Sequence, residues 1–416
     1  MLLPVFLVSM LVLTGSSSPP ALSAQRTFAW TQLNTNGFGR PANIGCLGMS
    51  VNEDQLYLGT WTTFIGASVM RYDGAQFTTI ASGGFENLAN YAAGTVVHDG
   101  TVYAGTFNIV TGCEVWRYDG GTSWTRVDGG TSPGNGGFGD ARNTGTYSAA
   151  SHGGSLYIGT QNATTGGEVW RYDGGTSWTR VDGGTSPGNG GFGDATNRAC
   201  HIQTYGGHLY ASTQNLTTGC EVWRYDGGTS WTRVDGGTSP GNGGFGDANT
   251  EVCGLIEYDM SLYAYTTNFT TGCEVWRYDG GTSWTRVDGG TSPGNGGFGD
   301  ASNTELYSAT VYNGRLIGGT GNIQGCEIWS YDGAAWERIA DNGIDGTQNH
   351  TAESLAACQG NLFVGTGNNS TGTEIWTTKT APAWYLAEGA TAGGFETWVL
   401  VQNPNPEAVE VDFTLN

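Results

Sequence analysis

Seven copies of a unit of roughly fifty residues, period-two alternation within each copy, and a glycine-rich composition with regularly placed aromatics predict an all-β fold. The fold expected is a seven-bladed β-propeller, followed by a truncated C-terminal β module. Glycine accounts for 72 of the 416 residues, beside 15 Trp and 19 Tyr. Glycine at that level without a collagen period means either disorder or many tight turns, and regular aromatics select turns.

The chain opens on Met1-Leu2-Leu3-Pro4-Val5 and stays apolar to Leu13, then turns small and polar up to Ala21-Leu22-Ser23-Ala24. Residues 1–24 read as a secretory signal, although no Lys or Arg precedes the apolar run. The run is too short to span a bilayer and no later segment is long enough, so the expected location is secreted or at the cell surface.

Residues 25–380 carry the repeat. Trp116, Trp170, Trp223, Trp276, Trp329 and Trp376 mark one position in six copies, at separations of 54, 53, 53, 53 and 47 residues. Met70 holds that position in a further copy, 46 residues before Trp116. Four copies share the block EVWRYDGGTSWTRVDGGTSPGNGGFGDA, at Glu114–Ala141, Glu168–Ala195, Glu221–Ala248 and Glu274–Ala301. Each copy reads as four short strands, as in Tyr147-Ser148-Ala149-Ala150, Leu156-Tyr157-Ile158-Gly159-Thr160, Glu168-Val169-Trp170-Arg171-Tyr172 and Trp178-Thr179-Arg180-Val181. A lone four-stranded sheet exposes two faces and two edges, and stacking the copies around an axis buries the faces. The small residues of the first strand suit the crowded axis.

The last copy has three strands and lacks the Asp-Gly-Gly-x-x-Trp turn. Phe28-Ala29-Trp30-Thr31-Gln32-Leu33 matches the missing fourth strand, and Asn36-Gly37-Phe38-Gly39 echoes Gly136-Gly137-Phe138-Gly139. The N-terminal strand is therefore expected to complete the seventh blade. Residues 381–416 leave the repeat and carry two strand patterns, Trp398-Val399-Leu400-Val401 and Val409-Glu410-Val411-Asp412-Phe413. They read as a partial β-sandwich module.

The turn Asp119-Gly120-Gly121-Thr122-Ser123-Trp124 recurs from Asp173 to Trp178, Asp226 to Trp231 and Asp279 to Trp284. It resembles the Asp-box, S-x-D-x-G-x-T-W, with Arg117 in place of the first Ser. In Asp-box propellers this turn joins the third and fourth strands, where it falls here. The resemblance implies a fold shared by sialidases, sortilin-type receptors and some glycosidases, and it implies no one function. The Asp is expected to cap the amides of its own turn. The repeat as a whole, with NxTTGxEVWRYDG and GFGDAxNT, is similar to uncharacterised propeller repeats of bacterial and archaeal exported proteins. The tail from Trp384 to Pro404 resembles the start of a β-sandwich module appended to bacterial surface proteins.

The formal net charge is -21, which disfavours nucleic acid and anionic membranes as partners. Eight cysteines suit an oxidising compartment, and the absence of any C-x-x-C pair removes the zinc and thioredoxin readings. Cys113, Cys220, Cys273 and Cys326 share one repeat position, while Cys46, Cys200, Cys253 and Cys358 fall in or near first strands. Disulfides of open connectivity are expected, with buried free thiols as the alternative. Sequons stand at Asn162, Asn215, Asn268, Asn349, Asn368 and Asn369, positions compatible with a surface.

Because strands alternate in direction, the second-to-third loops and the fourth-to-next-first loops share one face. Ligand contacts on scaffolds concentrate on such loops. The candidates there are Asp140, Asp194, Asp247 and Asp300, Phe138, Phe192, Phe245 and Phe298, and Glu114, Glu168, Glu221 and Glu274. The carboxylates could gather around calcium, although GGFGD is one residue short of the GGxGxD calcium repeat. Their simpler use is Asp capping its loop and Glu pairing with a neighbouring blade. The phenylalanines could stack on sugars or plug the gap between blades. No cofactor is otherwise indicated.

Identical blades offer the same groups at each site, whereas catalysis needs different groups in different roles, so no enzyme activity is expected. A sialidase-like glycoside hydrolase would need a cluster of loop arginines, and only Arg40, Arg142 and Arg198 lie there. The function expected is non-catalytic recognition of a glycan or a surface protein through the loop face, with a structural or adhesion scaffold as the alternative.

Overall fold

A computed structural model describes residues 28–63, 65–130, 135–184, 189–237, 242–290 and 295–379. The signal read at 1–24 and the module read at 381–416 lie outside the described residues.

Unit three shows how the repeat folds. Gly145–His152 pairs antiparallel with Ser155–Gln161, which pairs with Val169–Gly174, which pairs with Ser177–Arg180. Gly153 and Gly154 close the first hairpin, both at positive φ, where side chains are strained. The strands alternate: Leu156 and Val169 are fully buried while Ser177 and Thr179 face out. The same four-strand order holds from Asn43 to Ala81, Ala92 to Arg126, Ala199 to Arg233, Val252 to Arg286 and Glu305 to Ala340. A last group has three strands, Thr351–Cys358, Asn361–Gly367 and Ile375–Lys379. The described residues thus form an all-β repeat protein of β-propeller type, with no helix long and apolar enough to cross a membrane.

Ala29–Gln32 pairs antiparallel with Ile375–Lys379, in the register Ala29 to Lys379 and Gln32 to Trp376. The first and last groups also touch. Cys46 N–H donates to Glu353 Oε2 over 2.8 Å, and Cys46, Leu56 and Leu58 share one apolar cluster with Ala356, Phe363 and Ile375.

Neighbouring units are locked by the aromatics of the repeat. The indole of Trp178 donates to Val127 O of the preceding unit over 2.8 Å, and Trp124, Trp231, Trp284 and Trp336 repeat the bond. The Asp-box-like turn differs in part from expectation. In the short turns Asp73 and Asp332 accept two backbone amides each, as expected of a capping Asp. In the longer turn the extra glycine moves those amides away. Asp119 accepts instead from Thr125 Oγ1 and from Arg117 Nε, and Asp173, Asp226 and Asp279 do the same. These bonds to Thr and Arg hold the Asp119, Asp173 and Asp226 carboxyls below the ordinary range.

One disulfide, Cys220–Cys253, staples the loop just before the third strand of one unit to the first strand of the next. The other six cysteines are buried free thiols. The pairing rule is visible from the glycine at the equivalent place: a Cβ on Gly167 would lie 3.0 Å from Cys200 Sγ. Cysteine thus recurs on one side or the other of several junctions and meets a partner at Cys220–Cys253.

Candidate functional site

The repeated loop residues are held by internal contacts. Glu168 accepts from Asn143 Nδ2 over 2.6 Å and from the Trp170 indole over 2.9 Å, and it pairs with Arg180 at 2.7 Å. Arg180 also grips Asp182, so a buried Glu–Arg–Asp triad sits in the unit. Glu114, Glu221 and Glu274 make the same triad with Arg126, Arg233 and Arg286. Burial pushes the Glu168, Glu221 and Glu274 carboxyls up, against the pull of their arginines. The fourth-strand arginines are therefore engaged inside the scaffold.

The loop aspartates cap their own loops. Asp140 binds Arg142 through both oxygens, Asp194 accepts from Thr196 N and Oγ1, Asp247 accepts from Asn249 N and Nδ2, and Asp300 accepts from Ser302 N. No three His, Cys, Asp or Glu side chains among the described residues converge to hold a metal ion. Phe138 sits in a short 3-10 turn at φ 56°, and its ring lies flat on Trp170 of the next unit. Phe192, Phe245 and Phe298 lie likewise on Trp223, Trp276 and Trp329. These rings plug the gap between units.

What converges instead is the part of the sequence that differs between copies. A cavity of about 900 Å³ is lined by the first strands of all the groups. Tyr147, His201, Glu251, Glu305, Tyr307 and Glu353 stand in its wall. Three of them occupy β-bulges. The pairing register slips at Tyr147 between Thr146 and Ser148, at Tyr307 between Leu306 and Ser308, and at Glu353 between Ala352 and Ser354. A bulge inserts one residue and re-aims its side chain, here into the cavity wall. Tyr265 reaches the wall from a second strand because Gly254 lies beneath it, where any Cβ would run into its ring. Glu251, Glu305, Gln161 and Gln214 lie at strand ends on the loop face, so the polar groups gather at that mouth.

The electrostatics of this wall are one-sided. Among the described residues, no Lys or Arg lines the cavity. Burial, with the Glu305 charge adding to it, pushes the Glu353 carboxyl up to about 7, against hydrogen bonds from Cys46 N and Thr351. Burial also raises Glu305 and Glu251, lifts the Tyr147 and Tyr265 phenols to about 12, and lowers His201 to about 4. His201 is thus neutral near pH 7, packed edge-on against Tyr147 at 4.5 Å, with its Nε2 buried and without a hydrogen-bond partner.

Exposed apolar residues stand on the second-to-third loops, and two of them, Leu216 and Phe269, reach the cavity wall. In the second-to-third loops Asn108, Asn215, Asn268 and Asn322 turn their Oδ1 onto amides two or three residues on. The residue that follows each Asn is pushed outward: Ile109, Leu216, Phe269 and Ile323, with 61%, 43%, 60% and 79% of their surface exposed. These loops, and the fourth-to-first loop that holds Asn349, correct the sequon reading. Asn162, Asn215, Asn268, Asn349 and Asn368 are buried and hydrogen-bonded, because the loops fold around their amides; Asn369 is exposed.

The first-strand site escaped the sequence reading, which weighted what repeats. A signal was present. Asn143 to Leu156 spans 13 positions where Asn197 to Leu209 spans 12, and the additional residue is the bulge.

No family model matches the chain, and no curated protein matches it. Solved structures similar to it include the WD40 β-propeller domain of Doa1, at 10% identity and a TM-score of 0.48, covering 83% of this chain and 96% of that one. Another is the SapL1 lectin in complex with α-methyl fucoside, at 15% identity and a TM-score of 0.43, covering 72% and 97%.

Proposed function

We propose that this chain is an exported, seven-bladed propeller, closed by Ala29–Gln32, that recognises a protein ligand through its loop face without catalysis. One observation carries the reading: groups identical between copies are engaged internally, while groups that differ converge on the cavity wall, which Leu216 and Phe269 reach from their loops. The exposed Leu216 and Phe269 beside a polar throat, with Ile109 and Ile323 exposed at the equivalent loop positions, supply apolar groups that a protein ligand would cover and polar groups that would fix its register. Closure is supported by the pairing of Ala29–Gln32 with Ile375–Lys379 and by the contact of Cys46 with Glu353. Export is supported by the apolar leader and by the Cys220–Cys253 disulfide. Multivalent glycan binding through Phe138 and its equivalents loses its support, since Trp170 and its equivalents cover those rings.

The test is a peptide array and a glycan array, each probed with the full chain and with Ile109→Ser/Phe269→Ser. Peptide binding that the double variant loses is expected. Glycan binding that survives the double variant, or hydrolysis of a fluorogenic glycoside, would contradict the reading.

A further inference from the structure

We infer that the last unit, Thr351–Lys379 with Ala29–Gln32, is a hinged blade that pivots on its axial strand while its outer strands part from units six and one. The inference rests on the closed ring of the proposed function and adds where that ring yields.

Two contacts lock neighbouring units at their outer strands. In the first, the fourth-strand indoles of Trp124, Trp178, Trp231, Trp284 and Trp336 donate to a carbonyl of the preceding unit, over 2.7 Å at Trp231 and 3.1 Å at Trp336. In the second, Phe85, Phe138, Phe192, Phe245 and Phe298 each lie flat on the third-strand indole of the following unit. Both contacts occur at every junction from unit one to unit six.

Among the described residues, neither joint of the last unit carries either contact. Towards unit six, Trp30 stands opposite Thr378 as Trp178 stands opposite Tyr172, yet its Nε1 is buried without a hydrogen-bond partner. Ile344 takes the place of the phenylalanine, at the same distance before Asn349 as Phe138 before Asn143. It holds φ 75°, a backbone that is costly for a β-branched side chain. Towards unit one, Phe77 replaces the donating indole and Met70 the stacked one, and Phe38 meets Phe77 edge-on at 5.1 Å.

The axial strand is held on both sides. Ser308 Oγ donates to Ala352 O over 2.7 Å, and Cys46 N–H donates to Glu353 Oε2 over 2.8 Å. Contacts kept at the axis and lost at the outer strands define a pivot. Opening below the level of global unfolding concentrates where such contacts are fewest. The weak joints also suit assembly, because strand Ala29–Gln32 comes from the far end of the sequence and has to enter between units already stacked.

Indole N–H exchange, followed by NMR on the full chain, reads the separation of units, while the sheet amides read strand pairing. The Trp30 indole is expected to exchange about tenfold faster than the Trp178 and Trp231 indoles, with amides 30–32 still slow. Ile344→Phe leaves Trp30 without an acceptor but restores the stack on Trp376, and is expected to slow Trp30 exchange up to about tenfold. Phe192→Ile copies the weak joint between units three and four and is expected to speed Trp231 exchange by a similar factor. A Trp30 indole as slow as that of Trp178 overturns the inference, and so does a Trp30 rate that Ile344→Phe leaves unchanged. If a variant fails to fold, the wild-type comparison of Trp30 with Trp178 decides. Fast amides at 30–32 would instead remove the closed ring; slow amides with a slow Trp30 indole leave the ring closed and remove the hinge.

Discussion

Phe138 lies flat against Trp170 of the following unit, ring centroids 4.9 Å apart and planes 11° from parallel, while its edge meets Trp178 at 5.1 Å. The contact recurs at Phe85 with Trp116 and at Phe298 with Trp329. Removing such a ring opens a cavity between units. Phe138→Ala is expected to cost roughly 3 kcal/mol, read as a lower urea midpoint, and to leave ligand binding at the loop face unchanged.

Gly167 faces Cys200 as Cys220 faces Cys253. Gly167→Cys is expected to form a second inter-unit disulfide, because equivalent copies already carry Cys at that loop position, with the backbone yielding at Thr160 O, which a Cβ there would approach to 2.7 Å. Non-reducing peptide mapping checks it. Cys220→Ser is expected to destabilise by about 2–4 kcal/mol, read in the same denaturation assay.

The Glu353 carboxyl, pushed up to about 7 from an ordinary 4.5, gives stability a pH dependence. The folded state keeps a proton that the unfolded chain releases above pH 4.5. Its contribution is therefore fully present below that pH and declines as pH rises toward 7. The integrated change is about 3 kcal/mol. Glu353→Gln keeps an acceptor for Cys46 N–H and removes the titration. The expected result is that wild type loses stability relative to the variant between pH 4.5 and 7.

The strand order was legible because alternation and Asp-Gly-Gly punctuation are local signals. The pairing of Ala29–Gln32 with the last strand was legible because Trp30 and Phe38 copy the fourth strand and the loop of the repeat. The recognition residues were not. Repetition draws attention to Asp140, Phe138 and Glu168, yet residues that must fit identical junctions are those most constrained by packing. Tyr147, Tyr307 and Glu353 look like ordinary strand residues in sequence, and only a one-residue change in pairing register brings them to the cavity wall. The carboxylates of that wall also carry no motif, since what sets them apart is the absence of a nearby cation.

The axial site exists only if the ring is closed, so amide hydrogen exchange across the N-terminal strand is the most direct measurement. Residues 30–32 and 376–378 should exchange as slowly as 170–172 and 178–180, which hold the same places in unit three. Exchange of 30–32 and 376–378 at the rate of a solvent-exposed edge strand, with unit three protected, would contradict closure and the cavity that depends on it.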